Sequence, residues 1–379
     1  MLLPYFASQT DQLLDLLRQL VEIESPSTEK AATDRLTHFV ERIARQSGAE
    51  THILPQTDVG DHLLACWGEE GHDFLLLCHL DTVWPLGTIR ERPWRIVGQR
   101  AYGPGVLDEK ASIAIVLTVM HALYTDLDLR DEWDGSPATV TVFFNSDEEI
   151  GSRTSRAQIE YLARDAQVVF CMEPARPDGS LKVARKGTGR YTITSLGRAA
   201  HAGSGHAQGI NAIEELAHQI LRLQAMTDYA VGTTVSVGWV RGGTRSNVIP
   251  DQAQARLDVR VRTRNEGERI NAAIHSLQPV LPGATLTVKG GMSRPPMKAS
   301  PVTLEPFKRV QEIGAGLGLS LEGGESGGAS DANFTAALGI PTLDGLGAIG
   351  DHPHHPDEYV WISSLAERAA LLAALLTGW

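Results

Sequence analysis

The feature that most restricts the fold of this chain is a set of short apolar runs that are each followed, directly or within a few residues, by a histidine or a carboxylate. The clearest are residues 74–78 before His79, residues 139–144 before Asn145-Ser146-Asp147-Glu148-Glu149, and residues 168–172 before Glu173. Continuous apolar runs of this length are typical of strands buried on both faces, as in a parallel sheet. Because ligands bind at the carboxyl ends of the strands in such sheets, we expect these polar side chains to lie close together.

Helical periodicity separates these runs and predicts an α/β fold. Helices are expected within residues 11–47, with a break at Ser25-Pro26-Ser27, and at residues 111–124, 158–164, 303–313 and 363–376, with a further strand at 341–343. Strands that alternate with helices indicate a mainly parallel sheet covered by helices on both faces.

Near Lys186 the pattern changes to that of a smaller insert. The predicted elements are strand 191–196, helix 209–223, strands 233–240 and 253–261, helix 269–277 and strand 284–289. The order strand, helix, strand, strand, helix, strand is that of a ferredoxin-like α+β unit. We therefore expect an insert at residues 186–297 that interrupts a larger domain made of residues 1–185 and 298–379.

Composition argues against several classes of function. The formal net charge of −12 disfavours nucleic acid as a partner, because phosphate binding needs clustered cations. No run approaches the roughly 18 apolar residues of a membrane span, and the N-terminus lacks the regions of a signal peptide. Cys66, Cys78 and Cys171 form no C-x-x-C pair, so we expect a cytoplasmic protein.

Two of the polar elements have a spacing that suits metal binding. In His79-Leu80-Asp81, residues two apart point the same way on an extended segment, so His79 can hold a metal while Asp81 orients its other ring nitrogen. In Tyr102-Gly103-Pro104-Gly105-Val106-Leu107-Asp108, glycines allow a sharp turn before Asp108. An N-capping aspartate is the alternative there.

Two further elements support a metal site only in combination with the others. The carboxylates of Asp147, Glu148 and Glu149 repel one another unless a cation offsets their charge, and a solvated acidic loop is the alternative. The histidines of Gly350-Asp351-His352-Pro353-His354-His355 can be ligands or lie in a surface loop. Because several such elements end strands or the turns that follow them, the sequence predicts one shared metal site at that edge of the sheet.

As a set, these motifs resemble the zinc exopeptidase family of glutamate carboxypeptidase, acetylornithine deacetylase and succinyl-diaminopimelate desuccinylase, and the glutamate carboxypeptidase branch most of all. The resemblance implies two Zn²⁺ ions per subunit, with Co²⁺ or Mn²⁺ as other divalent metals. It also implies a general base and a partner for the first histidine. The implied residues are His79, Asp108 and Glu173 for one ion, Asp108, Glu149 and His354 (with His355 as the alternative) for the other, Glu148 as the base and Asp81 as the partner of His79.

The resemblance also gives the insert the role of a lid and dimerisation domain, so that a homodimer is expected. His201 would stabilise the tetrahedral oxyanion, and Asn247 would help to hold the carbonyl oxygen. Arg260 would bind the substrate's free carboxylate bidentately, although its alternation with Arg256 and Arg262 also fits a solvated strand face. The remaining substrate-binding candidates are Arg294 and Gly328, the latter in a glycine-rich loop.

The expected activity is hydrolysis of a peptide or amide bond next to a free carboxylate, on a small peptide or N-acyl amino acid. An N-acyl amino acid deacylase or a dipeptidase with the same metal pair is the alternative, and a non-catalytic peptide-binding relative is a remote one. The chain departs from the family pattern at Glu109, where aspartate or methionine is usual, at Ala111, where glycine is usual, and at His206, where proline is usual.

Two other motifs are rejected on their context. Gly345-Leu346-Gly347-Ala348-Ile349-Gly350 satisfies G-x-G-x-x-G but runs into Asp351-His352-Pro353 rather than into a helix. Gly324-Glu325-Ser326-Gly327-Gly328 satisfies G-x-S-x-G, but no convincing buried strand precedes it. Neither a dinucleotide-binding protein nor a serine hydrolase is therefore expected.

Overall fold

A computed structural model describes residues 2–68, 73–126 and 138–379 of this protein. Contacts divide the chain into two units. The first comprises Met1–Ala184, Ala299–Glu325 and Ser330–Trp379, and the second comprises Arg185–Lys298 and Ser326–Ala329. Among the described residues, every helix is too short or too polar to cross a membrane.

The helices of the described chain are numbered here in chain order. They are α1 (Leu2–Ser8), α2 (Thr10–Glu22), α3 (Lys30–Gln46), α4 (Thr88–Glu91), α5 (Ala111–Thr125), α6 (Arg156–Ala163), α7 (Ala212–Gln224), α8 (Arg264–His275), α9 (Pro301–Gly316), α10 (Ala332–Ala337) and α11 (Ile362–Gly378). A π-helical turn, Val106–Lys110, precedes α5, and a short 3-10 turn spans His206–Gln208.

The strands follow the same numbering. They are β1 (Glu50–Leu54), β2 (His62–Trp67), β3 (Phe74–His79), β4 (Arg95–Val97), β5 (Arg100–Tyr102), β6 (Val140–Asn145), β7 (Val168–Cys171), β8 (Leu181–Arg185), β9 (Gly187–Leu196), β10 (Ala200–His201), β11 (Thr234–Gly242), β12 (Val248–Ile249), β13 (Gln252–Val261), β14 (Thr285–Arg294), β15 (Gly323–Ser326), β16 (Thr342–Asp344), β17 (Gly350–Asp351) and β18 (Tyr359–Trp361).

An eight-stranded sheet in the order β1-β2-β6-β3-β7-β16-β8-β15 forms the centre of the first unit. Its middle strands β6, β3, β7 and β16 run parallel to one another, and every residue of β3, β6 and β7 is buried. Burial on both faces explains why these strands are apolar without alternation. The predicted α/β class with a large, mainly parallel sheet is confirmed.

Helix α5 shows why one side of this sheet is stable. Its sequence is apolar all around the helix rather than on one face, and eleven of its fifteen residues are buried. A helix of this kind has to lie inside the protein, where each large aliphatic side chain contributes about 1.5–3 kcal/mol on burial. Helices α2, α3 and α11 add leucine- and alanine-rich faces to the same core.

A second, four-stranded sheet in the first unit has the order β17-β18-β5-β4. Strand β18 pairs with β5 so that Tyr359 lies opposite Tyr102, and β17 pairs with the other edge of β18. The loop between β17 and β18 carries His354, and the turn that carries Asp108 follows β5. This small sheet therefore brings together two segments that are far apart in sequence.

The second unit contains a four-stranded antiparallel sheet in the order β11-β13-β9-β14. Buried residues alternate with exposed ones along β9 and β13, as expected for a sheet with one face covered. The covered face packs on helices α7 and α8 through Leu216, Ile270 and Ile274. The order strand, helix, strand, strand, helix, strand is the predicted one, with the first and third strands in the centre.

Some element boundaries differ from the predicted ones. Strands β1 and β2 were not predicted, and they add antiparallel pairings at one edge of the large sheet. Helix α8 begins at Arg264, earlier than expected, because the Thr263 side chain caps it by accepting the Glu266 N–H at 3.2 Å. Its first turn is charged and lacks the apolar residues on which the prediction depended.

Candidate metal centre

Two groups of ligand-type side chains lie in the first unit, where the parallel strands end. The first group is His79, Glu109 and Glu173, and the second is Asp108, Glu149 and His354. Within each group, one donor atom from each residue lies within 4.8 Å of the others. Strand β3 ends at His79, while Glu149 and Glu173 lie in the loops after β6 and β7. The site therefore occupies the edge of the sheet at which α/β proteins bind ligands.

His79 is the centre of the first group. Its Nε2 lies 3.1 Å from Asp108 Oδ1, 3.3 Å from Glu109 Oε2 and 4.0 Å from Glu173 Oε1. Its Nδ1 lies 2.9 Å from the backbone carbonyl oxygen of Asp81. Because a carbonyl oxygen only accepts, Nδ1 carries the proton, and Nε2 is the nitrogen that can bind a metal ion.

The second group is centred on His354. Its Nε2 lies 2.9 Å from Glu149 Oε1 and 3.1 Å from Asp108 Oδ2. The backbone of His354 has a positive φ of 62°, which turns the ring toward these carboxylates. His355 instead uses its Nδ1 to accept the Asp357 N–H at 3.2 Å. The structure thus brings His354, and not the alternative His355, to the carboxylates.

Asp108 belongs to the second group but also reaches the first through its Oδ1 atom, and backbone hydrogen bonds hold the turn on which it lies. Gly105 begins the turn with a φ of 69°, a conformation that favours glycine. The buried carboxylate of Glu358 then accepts the N–H of Gly105 at 3.0 Å, of Leu107 at 2.9 Å and of Asp108 at 3.0 Å. Glu358 directly precedes β18, so one side chain fixes the Asp108 turn to the segment that carries His354.

The three consecutive carboxylates after β6 have different surroundings. Asp147 accepts hydrogen bonds from the Thr154 hydroxyl at 2.9 Å and the Ser155 hydroxyl at 2.6 Å, and so belongs to the turn. The backbone N–H groups of Glu148 and Glu149 both donate to the Asp81 carboxylate, at 3.1 and 3.2 Å. Asp81 is fully buried, and its carboxylate therefore fixes the position of the backbone at Glu148 and Glu149.

The role expected of Asp81 differs in detail from what the structure shows. Its carboxylate was expected to orient His79, but Oδ1 lies 3.6 Å from His79 Nδ1, beyond hydrogen-bond length. The backbone carbonyl of Asp81 makes that hydrogen bond instead. The carboxylate is engaged by the Ser27 hydroxyl at 2.6 Å and by the backbone of the acidic loop.

The carboxylates of the site lie close together and are largely buried from solvent, and this changes their pKa values. Burial raises the pKa of Glu149 to about 7, although its hydrogen bond with His354 acts in the opposite direction. Hydrogen bonds with Asp108 and Glu149 raise the pKa of His354 to about 11. Burial alone would lower the pKa of His79, but the charge of Glu109 and the contact with Asp108 raise it well above its usual value.

These groups fit a pair of divalent cations. Glu109 is 1% exposed, and its Oε1 has no hydrogen-bond partner in the described part of the chain. A buried carboxylate in this state is costly unless it meets a cation. Imidazole and carboxylate donors in groups of three are a ligand set that zinc accepts, and Asp108 offers one oxygen to each group. The chemistry of the donors thus matches the metal site expected from the sequence.

The glycines of the G-x-G-x-x-G motif have a structural role next to this site. A Cβ atom on Gly347 would lie 2.3 Å from the carbonyl oxygen of Met172 and 2.8 Å from that of Glu173. One on Gly350 would lie 2.0 Å from the carbonyl oxygen of Tyr359. These glycines let the backbone of the 345–350 segment pass close to the ligand-bearing strands.

The second unit carries the remaining predicted residues. His201 is exposed, and its Nδ1 accepts the backbone N–H groups of Gly203 at 3.0 Å and Ser204 at 3.1 Å. The proton of the neutral ring is therefore on Nε2, which can donate to an oxyanion. Asn247 is also exposed, and its backbone carbonyl accepts the Ala202 N–H at 3.0 Å. The structure thus places His201, at the end of β10, close to Asn247, which directly precedes β12.

The predicted carboxylate-binding residues have partners of their own. Arg260 makes two hydrogen bonds with Asp258 on the same strand, at 2.6 and 3.1 Å. Arg294 is buried at the end of β14. The carbonyl oxygen of Gly328 accepts a hydrogen bond from Arg185 at 3.1 Å. Of these residues, Arg260 is the one with a partly exposed guanidinium group that also has the geometry for bidentate binding.

Sequence reasoning missed three residues that contact the predicted ligands. Glu109 was noted as a departure from the family pattern and was given no role, yet its carboxylate lies beside His79. Glu358 was given no role, although its carboxylate holds the Asp108 turn. Lys182 was not considered, although its Nζ lies 3.6 Å from Glu173 Oε2. The available signal for Glu109 was its position next to Asp108, and for Glu358 its place just before an apolar strand.

Comparison with known proteins gives matches along almost the whole chain. The family model described as peptidase family M20/M25/M40 matches residues 75–378. Carboxypeptidase G2 from Pseudomonas sp. (strain RS-16) is 31% identical, covering 98% of this chain and 91% of that protein. Succinyl-diaminopimelate desuccinylase from Rhodospirillum centenum is 27% identical, covering 96% of each chain.

Solved structures share the fold at lower identity. Aminopeptidase PepT from Bacillus cereus ATCC 10987 superimposes with a TM-score of 0.74 at 20% identity, covering 97% of this chain and 98% of that one. The YXEP protein of Bacillus subtilis, described as a dinuclear metal binding peptidase from the M20 family, has a TM-score of 0.66 at 20% identity and covers 98% of both chains. At these sequence identities, the similarity shows that the chains share a fold and nothing further.

Proposed function

This chain belongs to peptidase family M20/M25/M40, and on that basis we propose that it is a two-zinc carboxypeptidase that cuts an amide bond next to a free carboxylate. The family expected from the motifs is confirmed, and with it a metal-dependent peptidase or amidohydrolase. The choice of zinc, the count of two ions and the carboxypeptidase preference are parts of the proposal.

One observation carries the proposal above all others. A single carboxylate, Asp108, lies 3.1 Å from the Nε2 atoms of both His79 and His354, through its two different oxygens. An aspartate that offers one oxygen to each of two ligand groups would suit a pair of divalent ions, as in two-metal hydrolases. A single-ion site would have no need of the second histidine and Glu149.

The residues of the first unit have different roles in the proposed reaction. When bound, the ions would polarise the substrate carbonyl and lower the pKa of a water molecule toward neutrality. Glu148 would accept a proton from that water and deliver it to the leaving nitrogen. Asp81 holds the backbone of Glu148, while His79, Asp108, Glu149, Glu173 and His354 supply the donor atoms.

The second unit is assigned to dimerisation, with a homodimer as the proposed assembly. Strand β11 is an edge of its four-stranded sheet and exposes Trp239 and Val240. Unpaired backbone groups on an edge strand favour pairing with another chain.

A cytoplasmic location is also proposed, because Cys66, Cys78 and Cys171 form no disulfide with one another.

Removal of the metal is expected to abolish activity reversibly. Dialysis against EDTA should lower the hydrolysis rate to about 1% or less of its starting value, because the water loses its activating ions. Added Zn²⁺ should restore the rate, and the melting temperature should fall on chelation and rise on reloading. A serine-directed inhibitor is the matched control and should have no effect. A chelator-insensitive activity would contradict the proposal.

Recognition of the carboxylate is tested by replacing Arg260. We expect Arg260→Ala to lower kcat/KM on an N-acyl-glutamate by roughly 10- to 100-fold, because a charged hydrogen-bonded pair is lost. Cleavage of the same substrate with its α-carboxyl amidated should change little. Arg256 lies on the same strand as Arg260 and stacks on Trp239 of β11, so it is the control position for an alanine substitution.

The same assay separates the carboxypeptidase from its alternatives. Folyl-glutamate, N-acetyl amino acids, an N-succinyl amine and plain dipeptides are compared side by side. Activity confined to acetylated or succinylated substrates would identify a deacylase and overturn the carboxypeptidase preference. Activity confined to dipeptides with a free amino terminus would identify a dipeptidase.

A further inference from the structure

Glu109 occupies a position that the family ligand set leaves out, and it lies inside the first ligand group. Its Oε2 is 3.3 Å from His79 Nε2, the ring nitrogen that is available to a metal ion. Donor atoms bound to the same tetrahedral zinc ion lie about 3.3–3.5 Å apart. The spacing of Glu109 and His79 is therefore that of two ligands of one ion.

Besides His79, the carboxylate of Glu109 has the Cys78 thiol as a hydrogen-bonding neighbour. The side chain is 1% exposed, and Oε1 has no hydrogen-bond partner among the residues that the structure describes. Its backbone follows Asp108 directly in the π-helical turn, so the turn that positions Asp108 positions Glu109 as well. A buried carboxylate beside a ligand group is stabilised by a cation.

Metal binding at His79 would make this need stronger. Once Nε2 of His79 holds an ion, that atom is no longer available for a hydrogen bond with Glu109. Glu109 would then lose its contact with that ring and remain buried with the carboxylates of Asp108 and Glu173 nearby. Coordination of the same ion removes this conflict, because the ion replaces the lost partner.

We propose that Glu109 is an additional ligand of the ion held by His79, Asp108 and Glu173. This inference rests on the proposed two-metal function and deepens it. The first ion would then have four protein donors, one imidazole and three carboxylates, whereas the second would have the three donors of Asp108, Glu149 and His354. A complete set of four protein ligands is typical of a tightly held ion, and a set of three leaves a position for water.

The test compares metal affinities rather than activity. Apo-protein is titrated with Zn²⁺ in competition with a chelator of known affinity, and the bound metal is counted by elemental analysis. For Glu109→Gln we expect the tighter of the two ions to bind about 10- to 100-fold more weakly, with little change at the other. Glu305→Gln, on the exposed face of α9, is the matched control and should equal the wild type.

A second variant and a direct measurement cover the case of a misfolded glutamine variant. Glu109→Asp keeps the charge but withdraws the oxygens by one methylene group, and it should also weaken the tighter ion. In crystals of the zinc-loaded wild-type protein, a distance of about 2.0–2.2 Å from a Glu109 oxygen to the ion supports the proposal. A distance beyond about 3 Å would overturn it.

The outcomes separate this inference from the proposed function. Two ions with wild-type affinity in both Glu109 variants would refute the additional ligand and leave the two-zinc hydrolase intact. A wild-type protein that binds no ions would refute both. Weakened binding of one ion, with retention of the other, supports the assignment of Glu109 to the first group.

Discussion

Replacement of Glu148 by glutamine is expected to lower kcat by roughly 10²- to 10⁴-fold while the protein keeps its metal ions. The amide has nearly the shape of the carboxylate but cannot take a proton from water. Glu148 is 7% exposed, and its backbone N–H is held by Asp81 at 3.1 Å, so the substitution leaves its position unchanged. The measurement is kcat together with the metal content of the same preparation.

The neighbouring glutamate provides the matched control for this experiment. Glu149 contacts His354 at 2.9 Å and belongs to the second ligand group, so Glu149→Gln should weaken metal binding as well as turnover. Together, the Glu148→Gln and Glu149→Gln variants distinguish a residue that carries a proton from a residue that binds a metal ion, within one loop. Wild-type turnover by Glu148→Gln with its metal bound would show that Glu148 is not the base.

Substitution of Asp108 by asparagine should have the largest effect on metal binding. Its two oxygens reach the two histidines, each at 3.1 Å, so loss of its charge disturbs both ligand groups at once. We expect the variant to retain at most one ion and about 1% or less of the wild-type activity, since both ions are needed to activate the water. Elemental analysis and a chelator competition measure the loss.

Asp147→Asn is the control for that substitution, because Asp147 is also an acidic residue near the site. Its carboxylate contacts Thr154 and Ser155 rather than a ligand, so the variant should keep both ions. We expect it to lose about 1–3 kcal/mol of stability from weakened hydrogen bonds. If Asp108→Asn kept two tightly bound ions, the bridging role would have to be abandoned.

The sequence allowed the positions of the candidate ligands to be predicted because they follow strands that are buried on both faces. Strand β3 ends at His79, and Glu173 lies just beyond β7, so the parallel pairing of these strands brings both residues to the same edge. This depends only on chain direction and on the apolar character of the strands. The family resemblance then supplied the roles, which stay predictions until the ions are measured.

The directions of side chains in loops could not be predicted in the same way. Asp147, Glu148 and Glu149 are equivalent as a sequence pattern, yet hydrogen bonds to Ser155 and Asp81 separate their roles. These partners lie on other segments, so no local pattern reveals them. The same holds for Glu358, whose contacts are with backbone groups about 250 residues earlier in the chain.

The fold shows the same division between local and distant causes. Apolar periodicity was sufficient for α5, because a helix that is apolar on every side can only be buried. It was not sufficient for β1, whose residues are partly exposed and whose position depends on pairing with β2. For Arg260, the strand was predicted correctly, but its pairing with Asp258 depends on side-chain torsions.

The link between Glu358 and the Asp108 turn also has a consequence for the timing of protein synthesis. His354 and Glu358 follow every other residue of the metal centre in the chain, so the ribosome makes them last. A nascent chain that has produced β3, α5, β6 and β7 already contains most of the ligands but neither the second histidine nor the carboxylate that holds the turn. A growing chain therefore cannot complete the metal centre until this late segment has emerged from the ribosome.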